Sequence, residues 1–250
     1  MRKITLILIV FLLLLTGSLL LAKKNSNSSI TENPPGSPSI PTPSTPSLAL
    51  VSTPSPSPSP HPATIPALAQ KEYHGSDFRV GKVLAETTTY TRYYITYKSE
   101  GLTISGIMNK PKGPGPFPIL ILNHGYIDPA VYTNGRGLKR EQDYLASRGY
   151  LVIHPDYRNH AQSSKDPHHD LNFRAGYVED VINAIKALRS SNLSYLDKEN
   201  IGMLGHSMGG GITQAILVSQ PNLIKAAVLF APVSATARDN YDKYTRQRPD

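Results

Sequence analysis

The sequence predicts an α/β fold, a mostly parallel sheet with helices on both faces, preceded by an apolar N-terminal span and a proline-rich stalk. Three observations lead there. Ile119-Leu120-Ile121-Leu122 and Tyr150-Leu151-Val152-Ile153 are unbroken apolar runs, the pattern of strands buried on both faces. Tyr177, Val181, Ile185 and Leu188 recur at helical spacing and mark an amphipathic helix. Ile201-Gly202-Met203-Leu204 then runs into Gly205-His206-Ser207-Met208-Gly209, the pattern of a strand that turns sharply into a helix. Strands alternating with helices imply a parallel sheet whose ligands bind at the C-terminal strand ends, where His124, Asp156 and Ser207 all fall.

Residues 1–24 come first. Arg2-Lys3 precede an uncharged apolar run from Ile4 to Ala22, 19 residues closed by Lys23-Lys24. As a helix it would reach about 28 Å, close to the hydrocarbon thickness of a bilayer. A cleaved leader has a shorter apolar core and small residues before the cut, whereas Leu20 stands two before Ala22. The expectation is a single-pass membrane anchor holding the remainder outside the cytoplasm, with a secreted protein as the alternative. The chain has no cysteine, which excludes a lipid-modified N-terminus, a disulfide framework and any Cys-based zinc site.

Residues 25–70 are dominated by Pro, Ser and Thr, with Pro54-Ser55-Pro56-Ser57-Pro58-Ser59-Pro60 as the plainest repeat. Such a segment cannot bury a core and reads as a disordered, extended stalk. The globular domain is assigned to residues 71–250. Within it Tyr93 to Tyr97 and Leu102 to Met108 form a hairpin across Ser99-Glu100-Gly101. The loop Pro111 to Pro116 feeds the strand Ile119 to Leu122, which ends at Asn123-His124-Gly125-Tyr126. Gly137 to Ser147 has helical spacing, the strand Tyr150 to Ile153 follows, and Phe173 to Arg189 is the amphipathic helix. Ala226 to Phe230 is the last predicted strand, ahead of a polar tail.

The chemistry concentrates at residues 205–209. In a strand-turn-helix of this kind the serine hydroxyl stands above the sheet, so Ser207 is the candidate nucleophile. Gly205 and Gly209 are small because strand and helix nearly touch there. The formal charge of +8 is scattered, with no basic stripe among exposed aromatics, so no nucleic-acid partner is expected. His160, Asp166, His168, His169 and Asp170 lack metal-ligand spacing and read as a solvated polar loop near the site entrance. Neither a metal nor any other cofactor is called for.

In this order and spacing, the segments Asn123-His124-Gly125-Tyr126, His154-Pro155-Asp156-Tyr157-Arg158-Asn159-His160, Asp197 to Gly202 and Gly205 to Gly210 resemble the α/β-hydrolase superfamily. Within it they resemble the prolyl oligopeptidase and acylaminoacyl-peptidase-like hydrolases. The resemblance covers residues 90–234. It implies an oxyanion hole built from the backbone N–H of Tyr126, or of Gly125, and that of Met208, with His124, Gly125, Gly205, His206 and Gly209 supporting the elbow and its loop. Arg158-Asn159-His160-Ala161 departs from the Arg-Gly-His-Gly usual at that position.

The family's catalytic Asp and His follow its seventh and eighth strands, and no histidine follows His206. The sequence is therefore expected to be C-terminally incomplete, lacking the last two strands. Asp239 is a candidate acid of the type some relatives carry after the sixth strand; His206, pointing away from its neighbour at the elbow, is a packing residue. The function expected is that of a serine-type peptidase acting through an acyl-enzyme on Ser207, with small esters or peptides as substrates. A carboxylesterase of the same fold and a non-catalytic, tethered hydrolase-like module are the alternatives.

Overall fold

The computed structural model describes residues 59–61, 64–168, 175–234, 238–239 and 242. The apolar span 4–22 and nearly all of the stalk lie outside them, as do His169, Asp170 and Asp250. Among the described residues seven strands run as β1 (Ser76–Glu86), β2 (Tyr90–Ser99), β3 (Leu102–Pro111), β4 (Phe117–Asn123), β5 (Leu151–Pro155), β6 (Leu196–His206) and β7 (Ala226–Phe230). The helices are α1 (Ile65–Gln70), α2 (Lys139–Ser147), α3 (Ala175–Ser190) and α4 (Met208–Ser219). Among the described residues no helix is long and apolar enough to cross a membrane.

The strands form one sheet in the order β1-β2-β3-β5-β4-β6-β7. From β5 to β7 neighbours are parallel, while β1, β2 and β3 join antiparallel to one another and to β5. The sheet is thus mixed rather than mostly parallel. The predicted hairpin is present as β2 and β3, in register from Tyr90 with Pro111 to Ser99 with Leu102. The strand β1 has no counterpart among the sequence expectations. It is an edge strand with repeated register shifts, and only Phe78 and Val80 reach the core, so its alternation is weak.

Side-chain alternation along β4 and β5 explains why both read as unbroken apolar runs. Ile119, Ile121, Leu151 and Ile153 face the larger core beneath α3 and α4, with Val181, Ile185, Ile212 and Ile216. Leu122 and Val152 face the other side, with Ala146 and Leu145 of α2. Both faces are buried, as helices on both sides of the sheet require.

The stretch read as stalk ends earlier than residue 70. Thr64 caps α1, its hydroxyl accepting from the Ala67 amide, and Leu68 is buried in the main core. Tyr73 and Gln220 both donate to the Leu68 carbonyl, at 2.8 and 3.3 Å. Lys71 bridges Glu179 and Glu100 at 2.7 and 3.2 Å. One buried leucine and this set of polar ties hold a segment whose Pro-rich neighbourhood conceals it in the sequence.

Candidate active site

Strand β6 delivers Ser207 at the C-terminal edge of the sheet, and α4 begins at the next residue. Ser207 has φ 53° and ψ −117°, a conformation that non-glycine residues adopt only under strain of about 1–3 kcal/mol. The surrounding backbone holds it there. The Ser207 amide donates to Phe230 O at 3.1 Å, while Val233 and Gly211 donate to Ser207 O at 3.1 and 3.2 Å. Strand β7 is therefore part of the elbow, a role that no signal in its own residues discloses.

The glycines of the motif are required by contact. A Cβ on Gly205 would collide with Gly209 O and the Thr213 hydroxyl, and one on Gly209 would collide with Asn123 O. Asn123 also reaches α4 through its side chain, donating to Thr213 Oγ1 at 3.0 Å. Gly125 does the same work from the facing loop: a Cβ there would lie 3.1 Å from Ser207 Cβ and 3.2 Å from His206 Nδ1. The segment after β4 thus passes directly beside the candidate nucleophile. Met208 opens α4, so its amide has no partner within the helix and lies at the positive end of its dipole. Tyr126 follows Gly125 and exposes 54% of its surface.

His206 packs against Phe230 with ring centroids 5.1 Å apart and the planes tilted by 33°. His124 turns away from the elbow. Its ring is fully buried between Tyr157 at 4.3 Å and Tyr132 at 4.9 Å, with His154 at 5.2 Å. Its Nδ1 lies 2.7 Å from Gly125 O. Burial lowers its pKa to about 4, so the ring is neutral at pH 7. Among the described residues the Ser207 hydroxyl has no hydrogen-bond partner, histidine or otherwise. The carboxylate of Asp239 accepts from Ser234 at 2.9 Å on the exposed surface, with no histidine bonded to it among those residues.

Asp156, at the end of β5, faces inward. Burial raises its pKa, and four donors oppose the shift: Gly135 N and the Tyr132 hydroxyl at 2.8 Å, Asn134 Nδ2 at 2.7 Å and the Ser105 hydroxyl at 2.5 Å. It joins the loop after β4 to strands β3 and β5.

Of the loop expected to be solvated, His168 is exposed, Asp166 is half-buried and His160 is enclosed. His160 is fully buried, with one ring nitrogen 3.0 Å from Arg158 O and the other 3.2 Å from Ile127 O. Arg158 lies against Asp180 through two side-chain bonds, at 2.9 and 3.1 Å, and pairs with Asp166 at 2.9 Å. The carboxylates around this guanidinium account for the enclosure, since a buried arginine must be paired. Sequence alone could not couple Arg158 to Asp180, which falls on α3 and reads as one more polar helix position. Where the resemblance departs from glycine, the backbone keeps a glycine-like shape: Asn159 has φ 67° and Ala161 φ 46°.

Comparison with known proteins supplies the remaining context. The model of the prolyl oligopeptidase family matches residues 136–249. An uncharacterized protein of Mycobacterium tuberculosis is 32% identical over 135 residues, 54% of this chain and 35% of that protein. The esterase EstD of Thermotoga maritima is 28% identical over 144 residues, 55% of this chain and 33% of that protein. The chain thus spans about a third of the length of these curated relatives. Among solved structures, acetyl xylan esterase 1 from Thermoanaerobacterium aligns over 69% of this chain and 62% of its own, with a TM-score of 0.51 and 20% identity, a likeness of fold.

Proposed function

We propose that this chain, a prolyl oligopeptidase-like α/β-hydrolase, is the nucleophile-bearing part of a serine hydrolase. The observation that carries the proposal is the strained backbone of Ser207 at a strand-to-helix turn, with the Gly125-Tyr126 segment passing beside it. Ser207 Oγ attacks the acyl carbon of an ester or peptide and its proton leaves to a base. The carbonyl oxygen, now negative, is held by the amides of Met208 and Tyr126; losing one such donor costs about 100- to 1000-fold in rate. The leaving group departs protonated, and water then attacks the acyl-enzyme and restores Ser207.

The family model favours a peptidase, acting on small or accessible peptides. A carboxylesterase of the same fold is the second reading, supported by the similarity to EstD. The apolar run from Ile4 to Ala22, flanked by basic residues, supports a single-pass anchor with the domain outside the cytoplasm; a secreted protein is the alternative.

The test is a hydrolysis assay of the full-length protein on p-nitrophenyl acetate and on an aminoacyl p-nitroanilide. Turnover of either should fall by on the order of 10⁴-fold or more in Ser207→Ala. Equal turnover by the variant would overturn the proposal. Absence of turnover on any ester or amide would favour a non-catalytic tethered module.

A further inference from the structure

We propose that Asp156 is a positioning residue for the oxyanion hole: through Tyr132 and His124 its carboxylate fixes the orientation of the peptide between Gly125 and Tyr126. This rests on the Ser207 site proposed above.

The connection from His124 to Leu138 is irregular and links β4 to α2. A loop of that length keeps one shape only where it is anchored. Three of the four donors to Asp156 come from it, namely Tyr132, Asn134 and Gly135. The fourth, Ser105, belongs to β3. Each carboxylate oxygen accepts two bonds, so the acceptor capacity of an ionised carboxylate is filled. A fully buried carboxylate is tolerated because these donors replace its lost hydration. An amide at that position would turn an NH₂ group towards donors.

Held by Asp156, the Tyr132 ring lies parallel to within 27° on one side of His124, and Tyr157 lies within 23° of it at 4.3 Å. The imidazole has little freedom to rotate in that stack. A carbonyl oxygen can only accept, so the 2.7 Å contact of His124 Nδ1 with Gly125 O places the ring proton on Nδ1. The bond holds the Gly125 carbonyl, and a peptide unit is planar and trans. Fixing that C=O therefore fixes the opposite direction for the Tyr126 N–H of the same peptide. The carboxylate sets the direction of an amide it never touches.

Tyr132→Phe removes one bond to Asp156 and leaves the ring, Asp156→Asn perturbs all four, and Ser105→Ala removes the donor outside the loop. Each variant is made in the full-length protein. Amide hydrogen exchange over residues 124–136 and kcat and KM on p-nitrophenyl acetate are then measured. Tyr132→Phe and Asp156→Asn should speed exchange of 124–136 by roughly tenfold or more while β4 and α3 keep their protection. They should lower kcat by about 10- to 100-fold with KM changed less than about threefold, since the oxyanion forms only after substrate binds. Ser105→Ala, which removes a donor from outside the loop, should speed exchange of 124–136 less than Tyr132→Phe does. Wild-type exchange in 124–136 for a folded Tyr132→Phe protein would overturn the proposal, as would loss expressed in KM alone; should Asp156→Asn fail to fold, Tyr132→Phe decides. A wild-type protein without hydrolytic activity counts against the Ser207 assignment, and the exchange comparison still decides the role of Asp156.

Discussion

Gly209 and Asn123 meet backbone to backbone, so that a Cβ on Gly209 would overlap the Asn123 carbonyl and lie 2.6 Å from His124 O. This approach seats the first turn of α4 against the end of β4, where the loop beside Ser207 begins. Gly209→Ala should therefore destabilise the domain by about 2 kcal/mol or more, because backbone cannot move aside as a flexible side chain can. In a thermal melt that is a fall of about 4 to 8 °C. An unchanged melting temperature would show that the two strand ends are not so closely packed.

Ala161 and Asn159 provide an opposite case. Both occupy left-handed backbone, but Asn159 recovers the cost through its side chain, accepting from Asp166 N at 2.6 Å and donating to Asp166 O at 3.1 Å. No such bond is open to alanine. Ala161→Gly should stabilise by about 1 kcal/mol, whereas Asn159→Gly should be neutral or destabilising. Urea denaturation of the two variants separates them.

Among the described residues Arg158 and Asp180 make the most enclosed ion pair, with Asp180 fully buried. Removing the guanidinium leaves Asp180 uncompensated, so Arg158→Ala should cost about 3–5 kcal/mol. The double variant Arg158→Met with Asp180→Leu should recover part of that loss. A single variant as stable as the parent by equilibrium unfolding would contradict the pairing.

The buried imidazoles make stability depend on pH. His124 titrates at about 4 when folded and at the ordinary value near 6.5 when unfolded, so the unfolded chain binds more protons between those values. Stability should fall as pH drops through that window, by about 2 kcal/mol between pH 8 and pH 5 from His124 alone. Burial shifts His154 and His160 the same way, while the raised pKa of Asp156 opposes the trend at its acid end. Urea midpoints at pH 8, 6 and 5 test this, and a flat profile would contradict it.

The features legible in the sequence were those with a local cause. Unbroken apolar runs disclosed β4 and β5, and the glycine spacing disclosed the elbow, because each pattern reflects packing within a few residues. What escaped depends on partners far apart in the chain. Leu68 becomes core only against helices more than 100 residues away, and His160 is enclosed by Ile127, Tyr132 and Tyr177, which lie 17 to 33 residues from it. Arg158 beside it is enclosed because Glu179 and Asp180 of α3 counter its charge from a distance the local sequence does not show. The Phe230 carbonyl that holds Ser207 belongs to the backbone and leaves no trace in residue identity.

The central claim is that Ser207 is an activated nucleophile. Its most direct test is labelling of the full-length protein with a fluorophosphonate probe, followed by mass spectrometry of the tryptic peptides. The account predicts a single adduct on Ser207, absent from Ser207→Ala. Labelling that persists in the variant, or maps to another serine, would contradict it.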